Sequence, residues 1–221
     1  MIHVRLAEEP EAFNQAVRIP GLRAIAEMVG EGSPRRGRPR KKIADHREEV
    51  SPDQFPAYWT ESLNDLMSLY HRVCAYSCFF IHEITGARSV DHFAAKSRLW
   101  HRVYEWNNYR LACALMNSRK KDFNDVLDPV QIDDGWFQLK LVGFQVLPAS
   151  TQHPFTQDVI QQTIDRLKLN DSHFRNARAE DAEAYWNGDI SLNRPILESP
   201  FVAMELHRQG RLNSGNVYSR G

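Results

Sequence analysis

Three cysteines in 221 residues are too few, and odd in number, to make a disulfide framework. Long apolar runs are missing as well. No stretch approaches the roughly 18 consecutive apolar residues that a membrane span requires, and the start, Met1-Ile2-His3-Val4-Arg5, lacks the apolar centre of a secretion signal. A soluble, cytoplasmic protein with no membrane association is therefore expected. Net charge is the third absence: 28 Lys and Arg stand against 28 Asp and Glu, with a pI near 7.1. That balance argues against an all-over basic coat for nucleic acid. There is no internal repeat, and only residues 33–42 approach low complexity.

What is present is enough to fold. At 42% hydrophobic and 10% aromatic the chain can bury a core, and one compact domain with an extension is the default at this length. The zero net charge conceals segregation. Residues 33–42 hold six positive charges and no negative one, and residues 88–122 hold eight positive against three negative. The remainder carries a surplus of eleven acids. Two basic islands in an acidic body suit a localised polyanion site better than a uniformly neutral surface does.

Periodicity predicts an α+β chain in four stretches. Residues 1–30 read as two short helices: Phe13 and Val17 lie a turn apart, Pro20-Gly21 interrupts, and Leu22, Ile25, Ala26 and Val29 repeat at helical spacing before Gly30. Residues 31–56, with prolines at 34, 39, 52 and 56, read as an exposed basic connector. Residues 57–128 begin with a helix capped by Thr60 that carries Leu63, Leu66, Met67, Tyr70, Val73 and Cys74 on one face. Strands follow at Phe79-Phe80-Ile81, around Val90 and over Tyr109–Cys113, and then a basic helix from Ala114 to Lys121. Residues 129–221 open with a β-like run from Trp136 to Leu147, kinked at Gly143. Two or three helices close the chain, one capped by Thr156 with Ile160, Ile164 and Leu167 inward, another starting at Ser199-Pro200.

The stretch that carries chemistry is Ser89-Val90-Asp91-His92-Phe93-Ala94-Ala95-Lys96-Ser97, then Tyr104-Glu105-Trp106-Asn107-Asn108-Tyr109-Arg110, then Met116-Asn117-Ser118-Arg119-Lys120-Lys121. An Asp-His pair ending one strand, an Asn at the mouth of the next and a second Asn nine residues on in a basic helix resemble the HNH endonucleases and their ββα-metal core. The resemblance covers about fifty residues, from Cys74 to Lys121. It implies metal-dependent hydrolysis of DNA phosphodiester bonds, with RNA the alternative target. His92 would be the general base, since an imidazole accepts a proton near neutral pH. Asp91 and Asn117 would offer hard oxygens to Mg²⁺ or Mn²⁺, Asn108 would hold the inter-strand loop and orient the His92 ring, and Lys96, Arg119 and Lys120 would line the phosphate path. Taken singly, Asp-His pairs are more often turns, and Asn residues more often caps. Their conjunction is what points to a nuclease. The chain is also similar to compact HNH subunits encoded with ATPases in bacterial anti-phage defence systems of the Septu and retron-associated type, which implies an ATPase partner.

One departure from the family pattern concerns zinc. Many HNH proteins carry two Cys-x-x-Cys knuckles, whereas here only Cys74, Cys78 and Cys113 remain. With His82 they could form a Cys₃His site, but the offset at Cys78 favours buried thiols packed with Met116, so no structural zinc is expected. A second motif, Arg36-Gly37-Arg38-Pro39, resembles the AT-hook, which implies Arg36 and Arg38 in an A·T-rich minor groove with Arg40, Lys41 and Lys42 on phosphates. A solvated linker or a clasp onto the chain's own acids is the plainer use of such a run. The rival for the whole chain is a non-catalytic nucleic-acid-binding or scaffold subunit that keeps the HNH fold.

Overall fold

The computed structural model describes residues 1–31 and 40–219. Near the N-terminus a π-helical turn, Asn14–Arg18, runs directly into helix α1, Ile19–Val29, so the expected interruption at Pro20-Gly21 does not occur. Pro20 lies in the first turn, where its missing N–H leaves no hydrogen bond unmade. Gly21 answers a different need: a Cβ there would fall 2.4 Å from ring carbons of Tyr104. Gly30, at φ 78°, ends α1 in a left-handed cap.

From Arg40 onward the expected exposed connector packs back onto the body. Ile43 N–H donates to Met28 O at 2.8 Å, and Val50 and Phe55 enter the core. A 3₁₀ turn, Tyr58–Ser62, leads into α2, Leu63–Leu69. The helix expected to reach Cys74 stops there because His71 and Arg72 both take left-handed conformations, φ 50° and 61°. Beyond them Val73 pairs with Phe80 as a single bridge, which is all that forms of the strand expected at Phe79-Phe80-Ile81.

Strand β1, Arg88–His92, pairs antiparallel with β2, Tyr109–Cys113, in the register Arg88↔Cys113 to His92↔Tyr109. Helix α3, Ala114–Lys120, follows β2 without a break. A second hairpin, β3 Phe137–Lys140 with β4 Gln145–Pro148, turns at Gly143 and Phe144, both at positive φ. Four helices follow among the described residues: α4 Pro154–Leu167, α5 Ser172–Trp186, α6 Asn193–Glu198 and α7 Pro200–Arg208. His153, two residues before Pro154's neighbour Phe155 and accepting that residue's N–H, caps α4 in place of Thr156, and Ser199 precedes α7 as expected.

Helices with two small antiparallel sheets make the protein α+β. Its buried apolar side chains form one continuous cluster that includes Met1, Phe13, Leu66, Val90, Leu111, Met116, Ile160 and Leu206. β1 is held between α3 on one face and the Tyr58–Ser62 turn with α2 on the other. No helix among the described residues is long and apolar enough to cross a membrane.

Candidate active site

Side chains alternate along a strand, and β1 obeys this to its end. Ser89 and Asp91 turn toward α3, where Asn117 Nδ2 donates to Ser89 Oγ at 2.5 Å and to Val90 O at 3.4 Å. His92 turns the other way, with its ring edge-on to Trp59 at 4.8 Å and to Tyr109 at 5.1 Å. The twist that would bring Asp91 and His92 to one side is absent. The two residues flank the end of the strand.

The α3 side is a closed set of charges. Asp91, 2% exposed, accepts from Tyr76 Oη at 2.5 Å on Oδ2 and lies 3.2 Å from Lys120 Nζ through Oδ1. Lys120 is 0% exposed and also donates to His92 O and Phe93 O, each at 3.1 Å. Its three N–H groups thus meet three oxygens. Burial pushes the Asp91 carboxyl pKa up, against the pull of Lys120 and Tyr76. Lys120 was expected on the phosphate path, and the structure corrects this: its ammonium is an internal cation that ties α3 to the end of β1.

The other side holds the imidazole. His92 Nε2 lies 2.9 Å from Val103 O. A carbonyl only accepts, so Nε2 carries the hydrogen and Nδ1 keeps its lone pair. Nδ1 has no hydrogen bond among the described residues. Burial, assisted by the charges of Lys96 and Lys120, lowers the ring pKa from 6.5 to about 3, so the ring is neutral at ordinary pH. Lys96 Nζ lies over the Trp59 ring at 4.2 Å, and Trp59 in turn packs edge-on against His92.

Asn108 is buried and works on the loop, not on the ring. Its Oδ1 accepts from Ala94 N–H at 2.7 Å, and Nδ2 donates to Ala94 O at 3.1 Å and Arg102 O at 3.0 Å. These bonds fasten the two limbs of the loop next to Val103, whose carbonyl also accepts from Tyr109 Oη at 2.8 Å. Asn108 therefore reaches His92 through the position of Val103 O.

The remaining expected residues scatter. Arg119 points away from β1: its guanidinium pairs with Asp171 at 2.7 Å and donates to Leu167 O and Lys168 O at the end of α4, as a cation at a helix C-terminus does. Arg36 and Arg38 lie outside the described residues. Arg40 and Lys42 meet acids of the same chain, Glu27 at 4.0 Å and Asp45 at 2.7 Å, while Lys41 is exposed.

The three thiols do not gather. Cys113 N–H donates to Cys74 Sγ at 3.4 Å. The hydrogen bond from the Cys74 thiol and the backbone N–H groups at the start of α3 lower the Cys113 pKa to about 6, while burial raises that of Cys74. Cys78, left-handed at φ 58°, instead lies by the buried Met1 amine. Among the described residues no group of three or more His, Cys, Asp or Glu side chains is arranged around a metal position.

The oxygens around Asp91 are of the type a hard divalent ion takes, but both carboxylate oxygens are engaged, Oδ2 by Tyr76 and Oδ1 by Lys120. Lys120 Nζ already fills the cation position there, among one carboxylate and two carbonyl oxygens. Asn117 spends only Nδ2 on its hydrogen bonds, which leaves Oδ1 as a donor.

Sequence inspection missed Trp59, Tyr76 and Val103. Trp59 comes from outside the motif, Tyr76 from between the cysteines at its start, and Val103 acts through its carbonyl, which any residue supplies. No protein-family model matches this chain, and no curated protein does either.

Proposed function

We propose that the chain hydrolyses nucleic-acid phosphodiester bonds, DNA first, on the β1–β2–α3 unit, in the manner of the HNH endonucleases it resembles. The observation that carries this is the 2.9 Å contact of His92 Nε2 with Val103 O: a carbonyl only accepts, so Nε2 bears the hydrogen and the lone pair is on Nδ1. Such a nitrogen can take the proton of an attacking water. Hydrolysis of a phosphodiester is an in-line displacement, with attacking and leaving oxygens on opposite sides of phosphorus. His92 and Asp91 stand on opposite sides of the strand end, so a phosphate would have to sit beyond the end of β1 to be reached from both. A Mg²⁺ or Mn²⁺ held by Asp91 and Asn117 Oδ1 would neutralise charge on the phosphate and leaving oxygens, and to bind there it would have to displace the Lys120 ammonium from the carboxylate.

The residues of the chain do the rest. Asn108 and Val103 O fix the ring, Trp59 packs edge-on against it, and the phosphate's own negative charge raises the imidazole's proton affinity once substrate is present. Exposure of His92 requires Trp59 to move aside. The basic arm at Arg36 and Arg38 would add affinity for the groove and salt-dependence to binding.

Nicking of supercoiled plasmid by the full chain, with Mg²⁺, Mn²⁺ or EDTA, tests this. A parallel RNA arm and an arm with a co-encoded ATPase cover the other implied target and partner. Cutting that needs metal and disappears in His92→Ala is expected; intact nucleic acid in every arm, or cutting unchanged in His92→Ala, overturns it. The buried state of Asp91 and Lys120 favours the second role, a binding or scaffold subunit that retains this unit without turnover, and the same assay separates the two.

A further inference from the structure

Alternation puts Arg88, Val90 and His92 on the same face of β1. At the Arg88 end that face opens on a cleft of about 500 Å³ lined by Asn64, Ser68, His71, Arg72, Glu83 and Arg88. The proposed hydrolysis uses none of these residues. Arg88 and His71 are exposed, and the Arg88 guanidinium makes no ion pair or hydrogen bond among the described residues. Arg72 pairs with Glu83 at 3.0 Å, with its side chain still 43% accessible. The cleft wall is built at a backbone cost: His71 and Arg72 are consecutive non-glycine residues at positive φ, a conformation that survives only where the surroundings hold it. Here Arg72 N–H donates to Met67 O at 2.8 Å, and Ile81 N–H to Arg72 O at 2.7 Å.

We infer that this cleft is a phosphate-binding subsite, in which Arg88 and Arg72 take a backbone phosphate of the nucleic-acid strand whose scissile bond lies at His92. This rests on the hydrolytic function proposed above and extends it to a second point of contact. Guanidinium groups match phosphate oxygens in bidentate fashion, Ser68 and Asn64 add uncharged donors, and His71 adds a ring N–H. Two guanidinium groups face one carboxylate, so the balance favours an anion. Four residues of strand separate Arg88 from His92, about 13 Å at ~3.3 Å per residue. Phosphates of one duplex strand wind around the axis as well as advancing ~3.4 Å along it at each step, so that distance spans about two phosphates from the bond to be cut. The structure thus sets a ruler between anchor and base.

The test is binding of a fluorescein-labelled 20-base-pair duplex to the full chain in EDTA, between 50 and 200 mM salt. The proteins compared are wild type, Arg88→Gln, Arg72→Gln, Glu83→Gln and Arg88→Lys. Each lost phosphate contact should lower the slope of log affinity against log salt by about 0.9, so Arg88→Gln loses roughly 3.5-fold less affinity over that range than wild type does. Glu83→Gln, which releases Arg72, should bind about 2- to 5-fold tighter, an outcome that misfolding does not produce, and Arg88→Lys should recover most of the slope. Equal slopes in wild type, Arg88→Gln and Arg72→Gln, or absence of binding by wild type at 50 mM salt, overturn the subsite. A nicking assay run beside it keeps the two claims apart. Binding that depends on Arg88 without any cutting supports the subsite and removes the hydrolysis, whereas cutting with Arg88-independent binding does the reverse.

Discussion

Strand β1 presents Ser89 and Asp91 to α3, and Arg88 and His92 to α2 and the Trp59 turn, and the two faces manage polarity in different ways. On the α3 face, Asp91, Lys120 and Tyr76 satisfy one another inside the protein. On the other face, His92 uses one ring nitrogen and keeps the second free of hydrogen bonds among the described residues, while the Arg88 guanidinium stands at an open cleft. Completed polar networks hold a fold together, whereas incomplete ones have capacity left for a ligand. The lesson is that adjacent residues of one motif can meet different environments: Asp91 is tied into the fold, and His92 keeps a ring nitrogen free of hydrogen bonds among the described residues.

Lys120→Met is the strongest way to break this contrast. It strands the Asp91 carboxylate in the interior, and loss of one member of a buried pair costs about 3–5 kcal/mol. Urea unfolding should show a loss of that order, with much of it recovered in Lys120→Met/Asp91→Leu. A stability loss below 1 kcal/mol, on the scale of exposed pairs, would mean that the α3 face is not closed. Tyr76→Phe removes one donor to the same carboxylate and should cost about 1–3 kcal/mol, again read by urea unfolding.

On the opposite face the signature lies in pH. The His92 ring has a folded pKa of about 3 against 6.5 ordinarily, so between these values the unfolded chain binds a proton that the native chain does not. The stability contributed by the neutral ring is complete above pH 6.5 and is lost as pH falls toward 3. Asp91, whose pKa burial raises, acts in the opposite sense, so the comparison must be made at one site. Thermal melts of wild type and His92→Gln from pH 4 to 7 should diverge, with the wild type losing midpoint more steeply on acidification. Parallel curves would contradict the buried neutral imidazole.

How far the sequence foretold this varies by element. β1, β2 and α3 were readable because period-two β-formers change to helix formers at Cys113-Ala114. The overrun of α2 was not avoidable: the break lies at His71 and Arg72, which adopt left-handed backbone without a glycine to announce it. Helix α5 is hidden because Arg178 occupies its inward face with Phe174, Ala182 and Tyr185, which erases the apolar stripe. Charge is the instructive case. The basic island over residues 88–122 is real in composition, yet Arg110, Arg119 and Lys120 turn onto Asp128, Asp171 and Asp91. Ion pairs between residues so far apart in sequence leave no local pattern, so the count located the island but not which of its charges remain outward.

The account stands most directly on His92. Under single-turnover conditions with Mn²⁺, the cleavage rate of a labelled duplex should fall about 10²- to 10⁴-fold in His92→Ala, the range a general base contributes. Arg119→Gln, whose guanidinium is spent on the end of α4, should cut at nearly the wild-type rate. Equal rates for wild type and His92→Ala would contradict the assignment of the base and, with it, the division of labour between the two faces of β1.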